Sequence, residues 1–388
     1  MSPISQAVSD LPPPAPEGLE HSRRLAAHIR EAIRTAGGVL PFARYMELVL
    51  YAPGLGYYSA GARKFGAAGD FVTAPELSPL FSRCLARQCA EVLTALKQGF
   101  ILELGAGSGV MAVDLLAELQ HLGLLPREYL ILEVSADLKE QQRTLLAERM
   151  PELLSRVRWL DALPENFEGV ILGNEVLDAL PVERFRKVAS GYAQYCVAEQ
   201  GESFVWKELP ASKGLSVALA RLEQTLPAPL ADGYTSEICA GLSPLLATLA
   251  ATLTRGAVLF VDYGYERAAY YHADRSMGTL MCHYRQRAHA DPFLYPGLQD
   301  ITAQVDFTAV AEAATAGGLE LAGYTTQAHF LLGLGIVELA GGEMKAAQQV
   351  KLLTLPEEMG ERFKAIGFTK GLEMELKGFG LRDLSRTL

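Results

Sequence analysis

The sequence lacks the residue patterns that mark metal-binding and disulfide-rich proteins. Only five of its 388 residues are cysteine, and no two of them form a C-x-x-C pair. An odd number of scattered cysteines argues against a disulfide framework and against a zinc knuckle. The seven histidines show no H-E-x-x-H spacing. We therefore predict no metal site.

Long apolar runs and targeting signals are also missing. No apolar run reaches the roughly 18 residues that a membrane helix needs. The first twenty residues contain acidic side chains but no apolar core of a signal peptide. These features predict a bacterial-type cytoplasmic chain without a membrane span.

The charge balance is acidic, and the composition is that of a globular protein. The formal net charge is -10, with 49% hydrophobic and 21% charged residues. An acidic surface repels phosphate backbones, so we expect no nucleic-acid partner. No G-x-x-x-x-G-K-[ST] loop is present to bind a nucleotide phosphate.

The pattern of apolar residues along the sequence changes after Gly99. We expect a flexible arm over 1–18, a helical lobe over 19–98, and an α/β domain over 99–388 with insertions at about 185–250 and 264–317. The lobe includes one long helix from about 75 to 97. Short apolar runs predict strands, which alternate with helical patterns and so imply a parallel, Rossmann-like sheet. The predicted strands are 100–104, 129–134, 157–160, 170–172 and 257–262.

A glycine loop follows the first predicted strand. It reads E-x-G-x-G-x-G and contains Glu103, Gly105, Gly107 and Gly109. Open α/β sheets bind ligands where strands end, and glycines let a ligand approach the backbone. Val110 stands where a dinucleotide fingerprint needs glycine or alanine. The spacing instead resembles the first motif of class I methyltransferases, with Glu103 placed to meet the cationic end of their cofactor.

Two further acids end the next two strands. Glu133 can accept hydrogen bonds from both hydroxyls of a ribose. Asp161 can accept from an adenine amine. Three acids at three successive strand ends point to one nucleoside-containing ligand.

A third motif follows the fourth strand and runs from Asn174 to Pro181. Its two carboxylates, Glu175 and Asp178, suit a cationic nucleophile such as a guanidinium, which carboxylates grip bidentately. Free guanidinium loses its proton only above about pH 12. We therefore assign these two acids the catalytic task of orienting the acceptor and taking its proton.

Taken together, the motifs resemble the MidA-type protein methyltransferases, whose mitochondrial members methylate an arginine of a respiratory complex I subunit and assist assembly of the complex. The matching stretches are 45–46, 56–58, 69–81, 103–109, 174–181, 261–265, 278–280, 291–292, 296–297, 299–303 and 355–360.

The resemblance implies a class I methyltransferase sheet, S-adenosylmethionine (SAM) as cofactor, and a protein acceptor. It places the methionine part of SAM on Gly105, Gly107 and Gly109 and the ribose on Glu133. It also implies that the segment 69–76, which contains Thr73 and Glu76, borders the cofactor. Asn174, Glu175 and Asp178 would face the substrate, and we also assign Asn174 to the cofactor site.

Three alternatives remain open at this stage. The chain could bind SAM and act as an assembly factor without turnover. It could be a dinucleotide-dependent oxidoreductase, which Val110 disfavours. It could also methylate a small molecule or RNA, although the acidic charge counts against RNA. The sequence does not identify the acceptor or the oligomeric state.

Overall fold

The computed structural model describes residues 11–59 and 73–388. Its helices are α1 (Pro16–Thr35), α2 (Phe42–Tyr51), α3 (Ala74–Leu77), α4 (Pro79–Leu96), α5 (Val110–His121), α6 (Ala136–Arg149), α7 (Lys213–Gln224), α8 (Leu242–Thr252), α9 (Arg267–Tyr270), α10 (Phe307–Ala316), α11 (Gln327–Gly333), α12 (Ile336–Leu339) and α13 (Met344–Thr354). Its strands are β1 (Leu40–Pro41), β2 (Phe100–Leu104), β3 (Tyr129–Leu132), β4 (Val157–Leu160), β5 (Phe167–Asn174), β6 (Glu183–Val188), β7 (Gly191–Gln200), β8 (Ser203–Pro210), β9 (Thr235–Ile238), β10 (Leu253–Tyr265), β11 (Met281–Tyr284), β12 (Arg287–His289), β13 (Asp300–Thr302), β14 (Val305–Asp306), β15 (Glu320–Thr326) and β16 (Phe363–Lys370).

A central sheet with strand order β15-β16-β10-β5-β2-β3-β4 organises the molecule. The five strands from β10 to β4 are parallel, and β16 lies antiparallel to both of its neighbours. Short β14 adds a parallel pairing to the end of β10. The predicted Rossmann-like α/β fold is thus confirmed.

The direction of strand addition reverses between β2 and β5. From β2 the chain moves to β3 and β4 on one side, and then crosses back to β5 on the other side. Ligands of open α/β sheets bind in the crevice at such a switch point, outside the carboxyl ends of the strands. The register pairs Leu104 with Gly173, so β2 and β5 end nearly level. The loop after each strand therefore borders one crevice.

Helices cover both faces of the sheet. The side chains of each strand belong alternately to two buried clusters, because successive residues of a strand point to opposite faces of the sheet. Ile101, Val170 and Leu259 pack beneath α4 and α5 on one face. Leu102 and Ile171 pack beneath α8 and α10 on the other.

The prediction of a single helix from about 75 to 97 is wrong in one respect. Ser78 interrupts it with an extended backbone (φ −161°), and two helices, α3 and α4, result. Pro79 at the first position of α4 explains the break, because a residue before proline is pushed out of the helical region. The Ser78 hydroxyl accepts from the Leu80 N–H at 3.2 Å and so caps α4. The break turns α3 toward the crevice.

Two smaller sheets are formed mainly by the expected insertions, and β1 of the N-terminal segment joins one of them by pairing with β7. One has the order β1-β7-β6-β9 with β8 beside β7, and the other has the order β12-β11-β13. Helices α1 and α2 pack in a common core with residues of both sheets, such as Val197 and Ile301. Helix α4, by contrast, packs on the central sheet. The predicted boundary between the helical lobe and the α/β domain at residue 98 stays a prediction. Because α4 packs on the central sheet, we propose a boundary near residue 74 instead. Among the described helices, none is long and apolar enough to cross a membrane.

Replacing Leu85 of α4 with alanine tests whether α4 belongs to the core of the sheet. Leu85 is only 2% exposed. We expect Leu85→Ala to lower the free energy of unfolding by about 2–5 kcal/mol, since it removes buried surface and leaves a cavity. Leu122→Ala is the matched control, because Leu122 is 39% exposed. Equal midpoints for the two variants in chemical denaturation would contradict the assignment of α4.

Candidate active site

A cavity of about 820 Å³ occupies the crevice between β2 and β5. Its floor is formed by the loops that follow β2, β3 and β5, and α3 borders the glycine loop. Tyr51 and Tyr58 line it from the N-terminal lobe, and Met281 and His283 line it from the third sheet. Residues from the central sheet, the N-terminal segment and the three-stranded sheet therefore meet around one space.

The glycine loop lines this cavity with an exposed backbone. Gly105, Gly107 and Gly109 have φ values of 62°, 56° and 87°, in the left-handed region that favours glycine. The Ser108 hydroxyl donates to Glu76 of α3. Loop and helix are thus linked, and Gly105 and Gly107 lie in the cavity wall, whereas Gly109 lies behind it as the N-cap of α5.

Two buried carboxylates lie beside the loop. Glu103 is 1% exposed and accepts a hydrogen bond from the Tyr129 hydroxyl at 2.7 Å. Glu133 is 4% exposed and accepts from the Ser135 N–H at 3.0 Å. Burial raises the pKa of Glu103 to about 7, and the nearby charge of Glu133 adds to the increase. Among the described residues, no cation lowers the pKa of Glu103.

Gln142 of α6 connects the glycine loop to Glu133, and the sequence analysis did not predict it. Its side-chain amide donates to the Gly107 carbonyl at 2.8 Å and to Glu133 at 3.1 Å. Its oxygen accepts from the Trp159 indole at 2.9 Å. A polar residue in a charged helix gives no sign of burial in the sequence, although Gln142 is fully buried.

The loop after β5 holds the two predicted catalytic acids. Glu175 has φ 52°, a left-handed conformation that is uncommon outside glycine. Its N–H donates to the Val261 carbonyl at 2.9 Å. One oxygen of Asp262 then accepts from the next three N–H groups, those of residues 176–178, at 2.9–3.3 Å. Asp262 thus fixes the turn that carries Glu175 and Asp178.

Both acids hold their protons more tightly than usual. Burial and the neighbouring charge of Asp178 raise the pKa of Glu175 to about 8. Burial raises the pKa of Asp178 to about 6, although a hydrogen bond from Tyr263 opposes this. Asn174 donates to Glu175 at 3.2 Å. Glu175 and Asp178 both line the cavity, as does Asn174.

The remaining predicted positions divide into two groups. Thr73 and Glu76 line the cavity, so α3 does border it. Asp161 does not line it; its side chain is 94% exposed and pairs with Lys139 at 2.5 Å. The rest of the predicted bordering segment, residues 69–72, lies outside the described residues. No group of three His, Cys, Asp or Glu side chains within 11–59 and 73–388 is arranged to hold a metal ion.

Comparison with known proteins identifies the family to which this chain belongs. Residues 84–325 match a family model described as "Putative S-adenosyl-L-methionine-dependent methyltransferase". The chain belongs to this family. It is a SAM-dependent methyltransferase.

Relatives of known structure and of known name agree with that assignment. A protein from Burkholderia thailandensis, solved with S-adenosyl-homocysteine bound, is 46% identical and superimposes with a TM-score of 0.93 over 98% of this chain and 100% of its own. Mouse mitochondrial protein arginine methyltransferase NDUFAF7 is 30% identical over 87% of this chain and 82% of its own. The human protein of the same name is 29% identical over 87% and 81%.

The residues present fit the family's cofactor. SAM carries an ammonium and a sulfonium cation, and the cavity offers the buried carboxylates of Glu103 and Glu133. The Asn174 side-chain oxygen is also buried without a hydrogen-bond partner. We propose that Glu103 and the glycine loop hold the amino-acid part of SAM, that Glu133 holds the ribose, and that Thr73 and Glu76 close this half of the cavity.

Cofactor affinity is expected to depend on pH through Glu103. The ammonium of S-adenosyl-homocysteine pairs with the ionised carboxylate, whose pKa in the free protein is about 7. Binding then requires proton release, so affinity should rise about tenfold per pH unit below pH 6 and level off above pH 7. Calorimetry between pH 5 and 7.5 measures this slope.

Two variants separate Glu103 from other acids in that titration. Glu103→Gln should bind more weakly, with a flatter slope. Glu128→Gln should bind as the wild type does, because Glu128 precedes β3 at the opposite edge of the sheet and pairs with Arg158. An unchanged slope in Glu103→Gln would remove Glu103 from the cofactor site.

Proposed function

We propose that this methyltransferase acts on an arginine side chain of a protein acceptor. The observation that carries the proposal is the pair Glu175 and Asp178, a half-buried and a buried acid on one turn beside the cofactor half of the cavity. The naming of the mouse and human relatives as protein arginine methyltransferases supports it. The acceptor half is the part of the cavity lined by Glu175, Asp178, Tyr51, Tyr58 and Tyr263.

The charge of the cavity favours a cationic acceptor. Of the residues that the structure describes, six with acidic side chains line it, namely Glu76, Glu103, Glu133, Glu175, Asp178 and Asp300. Among the described residues, Arg362 is the one lysine or arginine in the lining, and it is exposed. A phosphate-bearing acceptor would be repelled there, whereas a guanidinium would be attracted. This supports protein over RNA as the acceptor.

The same two acids suit the proton chemistry of the reaction. Bound SAM supplies an electrophilic methyl group on its sulfonium. Glu175 and Asp178 orient the guanidinium bidentately and bring one nitrogen into line for attack. A base is most effective when its pKa lies near the working pH, and the pKa values of about 8 and 6 bracket neutrality. One of the pair takes the proton that the methylated nitrogen loses.

The turn is built so that this pair keeps its geometry. Asp262 anchors the backbone of residues 176–178, and Tyr263 binds the Asp178 side chain. The Tyr51 hydroxyl donates to the Ala179 carbonyl at 2.9 Å from the N-terminal side. Anchoring by backbone hydrogen bonds leaves the carboxylates of Glu175 and Asp178 available to the acceptor.

The acceptor protein and its location are further parts of the proposal. By the resemblance to MidA-type proteins, the acceptor is a respiratory-complex subunit, and methylation assists its assembly. The curated relatives carry the designation mitochondrial; for this chain we propose the bacterial cytoplasm. An assembly factor without turnover is the competing function, and it predicts cofactor binding with no methylated product.

Replacing Glu175 with glutamine should stop methyl transfer and leave cofactor binding intact. Glutamine keeps the size of the side chain but can neither pair with a guanidinium as an anion nor take its proton. Loss of such a group costs about 10²–10⁴-fold in rate. The measurement is incorporation of labelled methyl groups from SAM into proteins of a host extract, with calorimetry of S-adenosyl-homocysteine in parallel.

The control for this variant is Glu165→Gln, an exposed acid before β5 at the far edge of the sheet. It should label the extract at the wild-type rate. Wild-type labelling by Glu175→Gln would show that Glu175 is not catalytic. Loss of cofactor binding in Glu175→Gln would move the residue into the cofactor site.

A further inference from the structure

Residues along the carboxyl edge of the central sheet line the cavity in the spatial order of the strands. Glu133 follows β3, the glycine loop follows β2, and the turn with Glu175 follows β5. β10 contributes Tyr263 to the lining, and antiparallel β16 begins at this edge with Phe363, which pairs with Tyr263 in the register. The cavity therefore continues past the acceptor turn, along β10 and β16, on the side away from Glu133.

This continuation leads from the catalytic turn to the surface over aromatic side chains. The Tyr263 hydroxyl donates to the Asp178 side chain. The Tyr263 and Phe363 rings meet edge to face, with centroids 5.5 Å apart, and both are half-buried. Arg362 comes directly before Phe363, lines the cavity as well and is exposed. The cavity wall thus reaches solvent at Arg362.

Arg362 carries a positive charge that no intramolecular contact uses. In the part of the chain that the structure describes, its guanidinium has neither an ion pair nor a hydrogen bond. A guanidinium binds a carboxylate bidentately when one is available. An acidic group of the acceptor is repelled by the carboxylates that line the rest of the cavity, whereas Arg362 attracts it.

The spacing of the strands sets how far this charge lies from the methylated arginine. β16 is two strands from β5 in the sheet. Neighbouring strands are about 4.8 Å apart, so β16 lies about 10 Å from the strand whose turn carries Glu175. An extended peptide advances about 3.3 Å per residue, and this distance therefore corresponds to about three residues of a polypeptide that crosses β10.

We propose that Arg362 binds an acidic side chain of the acceptor protein, about three residues from the methylated arginine. This inference rests on the proposed arginine methyltransferase function. The acceptor polypeptide lies along the carboxyl edge of the sheet, with its arginine at the turn after β5, its backbone over the two aromatic rings and its acid at Arg362. Arg362 is then a specificity-determining residue that selects among arginines by the sequence around them.

The test uses labelled SAM and host extract with wild type, Arg362→Glu, Arg362→Lys and Arg382→Glu. Arg382 is exposed and lies outside the cavity lining, so Arg382→Glu is a control with the same change of net charge. We expect methylarginine formation by Arg362→Glu to fall about 5- to 30-fold at low salt and less at high salt, because repulsion replaces an exposed ion pair. Arg362→Lys keeps the charge and should lose at most about threefold. Arg382→Glu should match the wild type, as should the affinity of every variant for S-adenosyl-homocysteine.

The methylated protein gives a second readout. Tandem mass spectrometry of the labelled acceptor should find an aspartate or glutamate within about four residues of the methylated arginine. That acid is then replaced with lysine in the acceptor. The change should slow methylation by the wild type and restore it with Arg362→Glu, because the two charges have been exchanged.

Four results would overturn the inference. They are an acceptor without an acid in that window, wild-type methylation by Arg362→Glu, an equal loss in Arg382→Glu, and no restoration after the charge exchange. If Arg362→Glu does not bind S-adenosyl-homocysteine, the lysine-bearing acceptor decides with the wild-type enzyme, and an unchanged rate rejects the role of Arg362. Absence of methylarginine with the wild type would reject the proposed function as well, whereas the other results reject this inference alone.

Discussion

The burial of carboxylates around one crevice is the constraint on which the rest of this structure depends. Glu103, Asp178 and Asp262 are each at most 5% exposed. Burial of a charge without a partner is unfavourable, and such acids respond by keeping their protons. Burial is the largest cause of the raised pKa values of Glu103, Glu175, Asp178 and Asp262, and repulsion between neighbouring carboxylates adds to it for Glu103, Glu175 and Asp262. Cationic ligands would lower the free-energy cost of burying these carboxylates in their charged form.

Neutral donors contact several of these acids. Asp262 accepts three consecutive backbone N–H groups, Glu133 accepts from Gln142, and Asp300 accepts from Tyr58. Each donor fixes an orientation without neutralising the charge. The result is a preorganised acidic cavity, in which the cofactor half and the acceptor half both favour positive groups. The second insertion and the N-terminal lobe complete the acceptor half.

Local sequence patterns predicted the central sheet and the main loops because strand–helix alternation and glycine spacing are local signals. The loops with Glu103, Gly107 and Glu175 could be located because each follows an apolar strand. Other features depend on tertiary contacts and left no local pattern. Strand β6 mixes charges with Phe185, its one fully buried side chain, and antiparallel β16 pairs with β10 from far along the chain. Gln142 and Asp262 gain their importance only from burial in the folded protein.

The central claim is that the acidic cavity takes a guanidinium as its methyl acceptor. Tandem mass spectrometry of a host protein methylated by the purified enzyme tests it most directly, because fragment masses place the added methyl group on one side chain. The account predicts methylation of a terminal nitrogen of an arginine. A methyl group on lysine, on a carboxylate or on nucleic acid, or no transfer at all from bound SAM, would contradict it.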